Sequence, residues 1–525
     1  MIRGFRQIAS LTAISRVFGM ARDMAFAHFF GADWLMTAWT VGFKIPNLSR
    51  RLFGEGAASA SLIPVYSEEL HNNPQNAVKL ANTAVTVVFV ILAAITILGE
   101  GLLWGGYGFV ADRTGPRLGL LLCAIMLPYM IFVCTSAILA GIQNVHRHFA
   151  TPAAGPIVLN VFIIGGILFA SRVLKLEPER QVFWVAAAVL ISGVIQIAIQ
   201  IPPLHASGIR IRPAWQVRSE AFRKIIFLMG PMIIGMAATQ LNTLLDDVIA
   251  LCFMREGGYP LSYGAPSYLY YAQRLYQLPL GVLGISLATA IYPVMSSNAA
   301  RKDFIALSAT IARGMRGAIF VAIPATAGIL LVAKPLIRAL FEHGSFQSTD
   351  TSEVSWTLSF YALGLTGYFL QQLATRALYS MQDSKTPALS AIGAVLTNFV
   401  LNLTLIWFLG TGGLAAATAI CSYLQVVVLL TVLHRRLGRS ILDGLGVDIV
   451  KTLAATAIML AAGGTVLYLM KGMQSGRLSE VIKLAVVVPT AGAVYALAAK
   501  LLRMEMLALI THSAPRHEPL APGGE

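Results

Sequence analysis

Charge is what this sequence has least of. Only 12% of its 525 residues are Asp, Glu, Lys or Arg, about half the share of a soluble globular chain. That deficit excludes a soluble protein of this length. Acid is scarcer than base, with 24 Asp+Glu against 39 Lys+Arg and a net charge of +15. The basic excess lies in loops and inside apolar stretches rather than in one patch, so nucleic acid is not an expected partner. Cysteine is also sparse. Cys123, Cys134, Cys252 and Cys421 are far apart, which excludes a disulfide framework or a CxxC metal or redox motif, and they read as packing residues. Long polar connections are missing as well. A membrane-bound glycosyltransferase or ligase generally needs one, furnished with carboxylates or His for acid–base chemistry. The longest outward loop, 333–353, carries Glu342, His343 and Asp350 without matching partners elsewhere. The chain is therefore not expected to be an enzyme.

What is present in abundance is apolar sequence, 57% of the chain. Stretches long enough to cross a bilayer as helices, about 20 residues each, fall near 8–30, 34–66, 77–103, 118–141, 154–173, 182–203, 222–254, 265–297, 306–333, 354–381, 386–409, 412–434, 446–470 and 480–502. The expected fold is an all-α polytopic membrane protein with fourteen transmembrane helices. The start, "MIRGFRQIASLTAISRVFGMARD", is too charged for a signal peptide and reads as the first span. Lys and Arg concentrate in "RIRPAWQVRSEAFRK" (210–224) and "RRLGRS" (435–440), which places those loops and both termini in the cytoplasm. The Pro/Gly-rich tail, 506–525, is expected to be disordered.

The two halves echo each other. "IPVYS" (63–67) matches "YPVMS" (292–296) at an offset of 229, "QIAIQIPPLH" (196–205) matches "QVVVLLTVLH" (425–434) at the same offset, and "GIQNVHRHFATPA" (141–153) is echoed by "SMQDSKTPA" (380–388). The expected organisation is a lobe over 1–205 with spans 1–6, a second over 206–437 with spans 7–12, and two appended helices over 438–505. Six spans per copy make the repeat parallel, an arrangement in which paired bundles enclose a central site and work by alternating access.

"SRVFGMARD" (15–23) puts Arg16, Arg22 and Asp23 in one span. A charge at the bilayer centre costs about 2.5–3.5 kcal/mol on insertion scales. Lys44, Arg50, Arg51, Arg274, Arg313, Arg316, Arg376 and Lys483 also fall in or at the edges of spans. Those near span ends, such as Arg51, Arg313 and Lys483, fit snorkelling to the headgroups equally well. Arg16, Arg22, Arg50 and Arg274 do not. On a helical wheel Arg16 and Asp23 share a face and Arg22 lies well round from it, so an ion pair on that face leaves Arg22 unexplained. Asp23 and Glu55 offset only part of this charge. Arg is suited to phosphate, being permanently charged, planar and bidentate. A positive chamber in a two-lobed transporter points to an anionic substrate such as a phosphate or pyrophosphate. In 43–68, Pro46, Pro64, Gly54 and Gly56 mark a hinge, answered in the second copy by Pro279, Gly281, Gly284 and Pro293.

A second polar set lies further on. Asp246 and Asp247 fall mid-span, Asn398 and Asn402 stand one turn apart, and Thr418 follows on the next span. Carboxylate, amide and hydroxyl oxygens suit a small hard cation such as Na⁺, and helix-to-helix hydrogen bonds suit them as well. Which of the two aspartates faces the interior is open.

"SRVFGMARD", "FKIPNLSRRLFGEGAASASLIPVYSE" (43–68), "YYAQRLYQLPLGVLG" (270–284) and "YSMQDSKTP" (379–387) resemble the signature segments of the MurJ (MviN) family, the lipid II flippases of the multidrug/oligosaccharidyl-lipid/polysaccharide exporter superfamily. The resemblance runs in order over about residues 5–505. It implies a fourteen-span fold whose spans 13–14 form a groove for the lipid tail. It implies movement of undecaprenyl-pyrophosphate-linked disaccharide-pentapeptide from the inner to the outer leaflet of the bacterial cytoplasmic membrane, for cell wall synthesis. By that resemblance Arg16, Arg22, Arg50 and Arg274 are cavity arginines for the pyrophosphate, with Asp23, Arg51 and Glu55 as charged neighbours. Asp246, Asn398, Asn402 and Thr418 match a Na⁺ site, with Leu414 offering its carbonyl. Lipid II and membrane lipids are the expected partners, and the chain is expected to be monomeric, with room for association with the cell wall synthesis machinery. Thr37, Gln273 and Gln277 depart from the family by replacing acids, which makes the chamber more positive and weakens the transfer of any coupling through those carboxylates. The nearest alternative is a flippase for another polyprenyl-pyrophosphate glycan. A cationic-drug antiporter of the superfamily fits poorly, because its cavity would be acidic.

Overall fold

The computed structural model describes residues 2–50, 52, 58–109, 114–255, 257–473 and 476–507. Arg51, Glu55, Gly54, Gly56 and most of the expected disordered tail lie outside them. The described residues are almost wholly helical, and their β-structure is limited to an isolated bridge between Met254 and Leu261. Ten of their helical stretches are long and apolar enough to cross a membrane. The remaining expected spans fall on a charged helix (2–30), on helices beside undescribed residues (34–49 and 58–72), on 220–253, and on a pair broken at Gly364. The architecture is the expected all-α, multi-pass one.

The chain forms two compact units, the first made of residues 1–271, 340–353 and 402–411. It contains α1 (Ile2–Phe30), α2 (Trp34–Ser49), α3 (Ala58–Asn72), α4 (Pro74–Phe109), α5 (Thr114–Met126), α6 (Tyr129–Val145), α7 (Ala150–Leu168), α8 (Pro178–Ala198), the short α9 (Ile201–Ala206), α10 (Glu220–Phe253) and the beginning of α11 (Ala265–Pro279). Within it α1 packs on α7, α7 on α8, α2 on α5, and α3 on α4, α6 and α10. Helices in lipid gain little from hiding apolar surface, so close van der Waals fit sets their approach. Gly42 shows this. A Cβ there would stand 2.9 Å from Leu122 Cβ and 3.0 Å from the Cys123 nitrogen, so only glycine lets α2 lie this near α5. Leu62, Val65, Tyr66, Leu80, Ile138, Ile142, Leu204 and Phe222 form a buried apolar cluster in this unit.

The basic connection 209–217 has no regular structure, yet it is tied to α4. Asn82 donates to the Arg210 carbonyl at 3.2 Å, and the nitrogens of Arg212, Ala214 and Gln216 donate to Asn82, Thr86 and Thr83 at 3.1–3.3 Å. Side chains of one helix thus satisfy a backbone that would otherwise need water. Ser219 then caps α10, accepting from the Phe222 nitrogen at 3.4 Å.

The second unit comprises 272–339, 354–401 and 412–525. It continues α11 and holds α12 (Ile285–Ala300), most of α13 (Phe304–Leu340), the larger part of α14 (Ser348–Leu363), α15 (Leu365–Ser380), most of α16 (Lys385–Leu409) and of α17 (Thr411–Leu437), α18 (Leu445–Leu469) and α19 (Arg477–Leu501). The helix is interrupted here, where the sequence pattern predicts a hinge. α11 stops at Pro279, Leu280–Gly284 forms one π-helical turn, and α12 resumes with Pro293 inside it. Ala288, Met295, Leu307, Ile311, Met315, Leu373 and Leu429 form a buried apolar cluster in it. α18 and α19 pack on each other, and Tyr495 of α19 donates to the Phe320 carbonyl of α13 at 2.6 Å.

Candidate functional site

In the first unit α1 brings Arg22 to the centre of a polar cluster. Its Nε and Nη2 donate to Asp23 Oδ1 at 3.0 and 2.7 Å. Nη1 donates to Asn160 Oδ1 of α7 at 2.9 Å, and Nη2 lies 3.2 Å from the Tyr270 hydroxyl of α11. Tyr270 in turn donates to Asp23 Oδ1 at 2.7 Å. The helical wheel separated Arg22 from Asp23; the structure corrects this, because the long Arg22 side chain folds round to its neighbour. The Arg22 side chain keeps 11% of its surface exposed and that of Asp23 4%. Charge-assisted bonds to groups on three helices hold the guanidinium in one orientation, with a small part of the side chain still exposed. Such a cation is preorganised for an anion, since little side-chain entropy remains to be lost on binding.

The other sequence-predicted cations are placed as follows. Arg16 is exposed on α1. Arg50, half-buried past the end of α2, donates back to Asn47 Oδ1 at 3.3 and 3.2 Å. Arg51 and Glu55 are not among the described residues. Arg274 is half-buried on α11 in the second unit, where its neighbour Gln273 donates to the Tyr361 hydroxyl at 3.1 Å. Thr37 is buried in the first unit, donating to the Tyr263 carbonyl at 2.9 Å and lying 3.0 Å from the Ser267 hydroxyl. A hydroxyl at that position therefore serves helix packing.

Several other basic residues in spans are structural. Arg376 bonds Thr289, and Arg316 faces Asp448 at 3.6 Å and Glu505 at 3.5 Å. Lys483 does not merely snorkel, for it donates to the buried Glu480 at 2.8 Å. Arg313 is exposed.

The oxygen-rich set divides by unit. In the first, Asp246 is buried and accepts from Asn402 Nδ2 at 2.6 Å. Asp247, the next residue, forms an ion pair with Lys44 of α2. In the second, the buried Asn398 donates to Thr418 Oγ1 at 3.2 Å, and Thr418 donates to the Leu414 carbonyl at 3.2 Å. Both aspartates are thus buried and both have partners. Each unit by itself offers oxygens of the hard type, a carboxylate and an amide in the first, an amide, a hydroxyl and a carbonyl in the second. No group of three or more His, Cys, Asp or Glu able to hold a metal occurs among the described residues.

Sequence reasoning missed Asn160, Tyr270 and the Lys44–Asp247 pair. Asn160 had a signal, being a lone amide within the apolar run "PIVLNVFIIGG", where an unsatisfied polar group is costly. The pairing of Lys44 with α10 had none, since 203 positions separate the partners in sequence.

Comparison with known proteins bears on this arrangement. The sequence pattern of the family described as "Lipid II flippase MurJ" matches residues 26–488. A protein of Vibrio cholerae serotype O1 named "Probable lipid II flippase MurJ" is 33% identical over 441 residues, covering 81% of this chain and 82% of its own. One of Burkholderia cenocepacia named "Lipid II flippase MurJ" is 29% identical over 446 residues, 83% of this chain and 84% of its own. The solved structure "Lipid II flippase MurJ, inward closed conformation" superposes with a TM-score of 0.76 at 25% identity, covering 94% of this chain and 99% of that one. An inward-facing MATE-family multidrug transporter of the MOP superfamily shares the fold, with a TM-score of 0.65 at 10% identity over 83% of this chain and 99% of its own. With apolar helices throughout and arginines held inside them, the chain belongs to the lipid II flippase MurJ family.

Proposed function

We propose that this protein moves lipid II, the undecaprenyl-pyrophosphate-linked disaccharide-pentapeptide, from the inner to the outer leaflet of the bacterial cytoplasmic membrane, and that it does so as a transporter without a catalytic step. The observation that carries the reading is the Arg22 cluster. A guanidinium oriented by Asp23, Asn160 and Tyr270, on a side chain that is not fully closed off, suits a pyrophosphate in a partly dry chamber. Arg16, Arg50, Arg51 and Arg274 are the further cations in this reading, and Glu55 is a charged neighbour.

The two parallel six-helix copies would supply alternating access, and α18–α19 the groove for the lipid tail. A proline and a π-helical turn between α11 and α12 give that span a place to bend. Both termini would lie in the cytoplasm and the functional unit would be one chain, with lipids and the cell wall synthesis machinery around it. Asp246, Asn402, Asn398, Thr418 and the Leu414 carbonyl would hold a Na⁺, which would add positive charge to this part of the molecule when bound.

The test is binding of purified protein to lipid II against the same headgroup on a monophosphate carrier, for wild type, Arg22→Ala and Arg274→Ala. Preference for the pyrophosphate that either substitution removes supports the assignment. Equal binding of both carriers by wild type overturns the pyrophosphate reading. Preference for a pyrophosphate carrier bearing another glycan would reassign the cargo.

A further inference from the structure

Lys44 is not used by the site described above. It lies on α2, and the acid it pairs with is on a different helix, α10. Its side chain is 25% exposed while that of Asp247 is 11% exposed, so the lysine is the more accessible partner of the pair. Asp246, one residue before, carries the hydrogen bond to Asn402. Successive residues of α10 therefore serve different partners, Asp246 the Asn402 amide and Asp247 the Lys44 ammonium.

α2 supplies a second link. Lys44, Asn47 and Arg50 follow at intervals of three, so they climb one side of the helix. Arg50 reaches back to Asn47, which brings its guanidinium within about one turn of Lys44. An anion held at Arg50 is then close enough to attract Lys44. Lysine suits such a move. Its ammonium is a compact point charge on a flexible four-carbon stem, unlike the forked and locked guanidinium of Arg22. Pro46 also removes one backbone hydrogen bond of α2 between the two cations.

We propose that Lys44 is a movable cation of the headgroup site, exchanged between Asp247 and the incoming phosphate. When Lys44 leaves, Asp247 and Asp246 stand side by side as two buried carboxylates, and a cation at Asp246 becomes their replacement counter-charge. Anion and Na⁺ thereby bind cooperatively, each favouring the other, because a buried carboxylate without a counter-charge is costly. This rests on the pyrophosphate reading above and adds to it the route by which ion and substrate communicate.

The test uses full-length protein and lipid II, with affinity measured in NaCl and in choline chloride at equal ionic strength. Wild type is expected to bind about fivefold or more tightly in Na⁺, the lower range of typical site-to-site coupling. Lys44→Gln is expected to bind about tenfold more weakly and to lose the Na⁺ response. Asp247→Asn, which frees Lys44, is expected to bind more tightly than wild type in choline and to respond little to Na⁺. Coupling is reciprocal, so lipid II must also enhance the protection against heat that Na⁺ gives wild type, and must not do so in Lys44→Gln. A paired Lys44→Met/Asp247→Leu variant removes both charges together and keeps the comparison open if a single variant fails to fold. Wild-type affinity and Na⁺ response in these variants would overturn the proposal while leaving the pyrophosphate reading intact. Absence of any pyrophosphate preference in wild type would overturn both.

Discussion

Arg22 and Arg316 look alike in sequence, each a guanidinium within an expected span, and the two units use them differently. In the first unit Arg22 has its acceptors on α1, α7 and α11, one a carboxylate, one an amide and one a phenol, all within 3.2 Å. In the second, Arg316 of α13 meets Asp448 at the start of α18 and Glu505 just beyond α19, at 3.6 and 3.5 Å, and the Glu505 side chain is 75% exposed. The first is a short, mixed network that orients a charge. The second is a looser pair of ion contacts that ties the two appended helices to α13. An arginine inside a membrane helix is therefore classified by its acceptors and their exposure, not by its depth in the sequence.

The contrast is most exposed to a pair of alanine variants. Arg22→Ala is expected to weaken binding of the pyrophosphate headgroup by about a hundredfold or more, as loss of charged hydrogen bonds worth about 1.5–3 kcal/mol each requires. Arg316→Ala should bind as wild type does. Similar losses in both would erase the distinction. Asn160→Ala sharpens it further, because Arg22 stays but loses one of its anchors. Titration of the headgroup is expected to show about a fivefold to tenfold loss, consistent with one hydrogen bond of about 1 kcal/mol or slightly more. Arg316→Gln should show its effect in stability instead. Its partly exposed ion contacts are worth about 1 kcal/mol or less, read as a small drop in thermal midpoint with binding intact.

The smallest effect concerns a connection outside the spans. Asp383, between α15 and α16, accepts from the Thr386 hydroxyl at 2.6 Å and the Thr386 nitrogen at 2.9 Å, and pairs with Arg436 at 2.7 Å. Those hydrogen bonds first, and Arg436 with them, hold its carboxyl below the usual carboxylate range. A depressed folded-state value means that this stabilisation is complete above the unfolded carboxylate value and is lost as pH falls through the folded one. Thermal midpoints measured from neutral pH into the acid range should decline less steeply in Asp383→Asn. An unchanged slope would show that these contacts of Asp383 do not contribute.

Much of the fold was legible because a membrane imposes long apolar helices, and their lengths and the charge of their connections can be counted along the chain. The helix interruption at Pro279 was legible for the same reason, since a proline removes a backbone donor wherever it occurs. The break of the tenth expected span at Gly364 was not, nor the tethering of 209–217 to Asn82, Thr83 and Thr86, because both depend on what lies alongside. At the site, residue type alone identified Arg22, Asp23, Arg50, Asp246 and Asn402 as out of place in lipid. Tertiary structure alone decided that Arg22 turns to Asp23 and Asn160, that Asp246 faces Asn402, and that Lys44 reaches Asp247. The physical reason is that the cost of burying a charge is a property of the residue, whereas the partner that offsets it is set by which helices pack together.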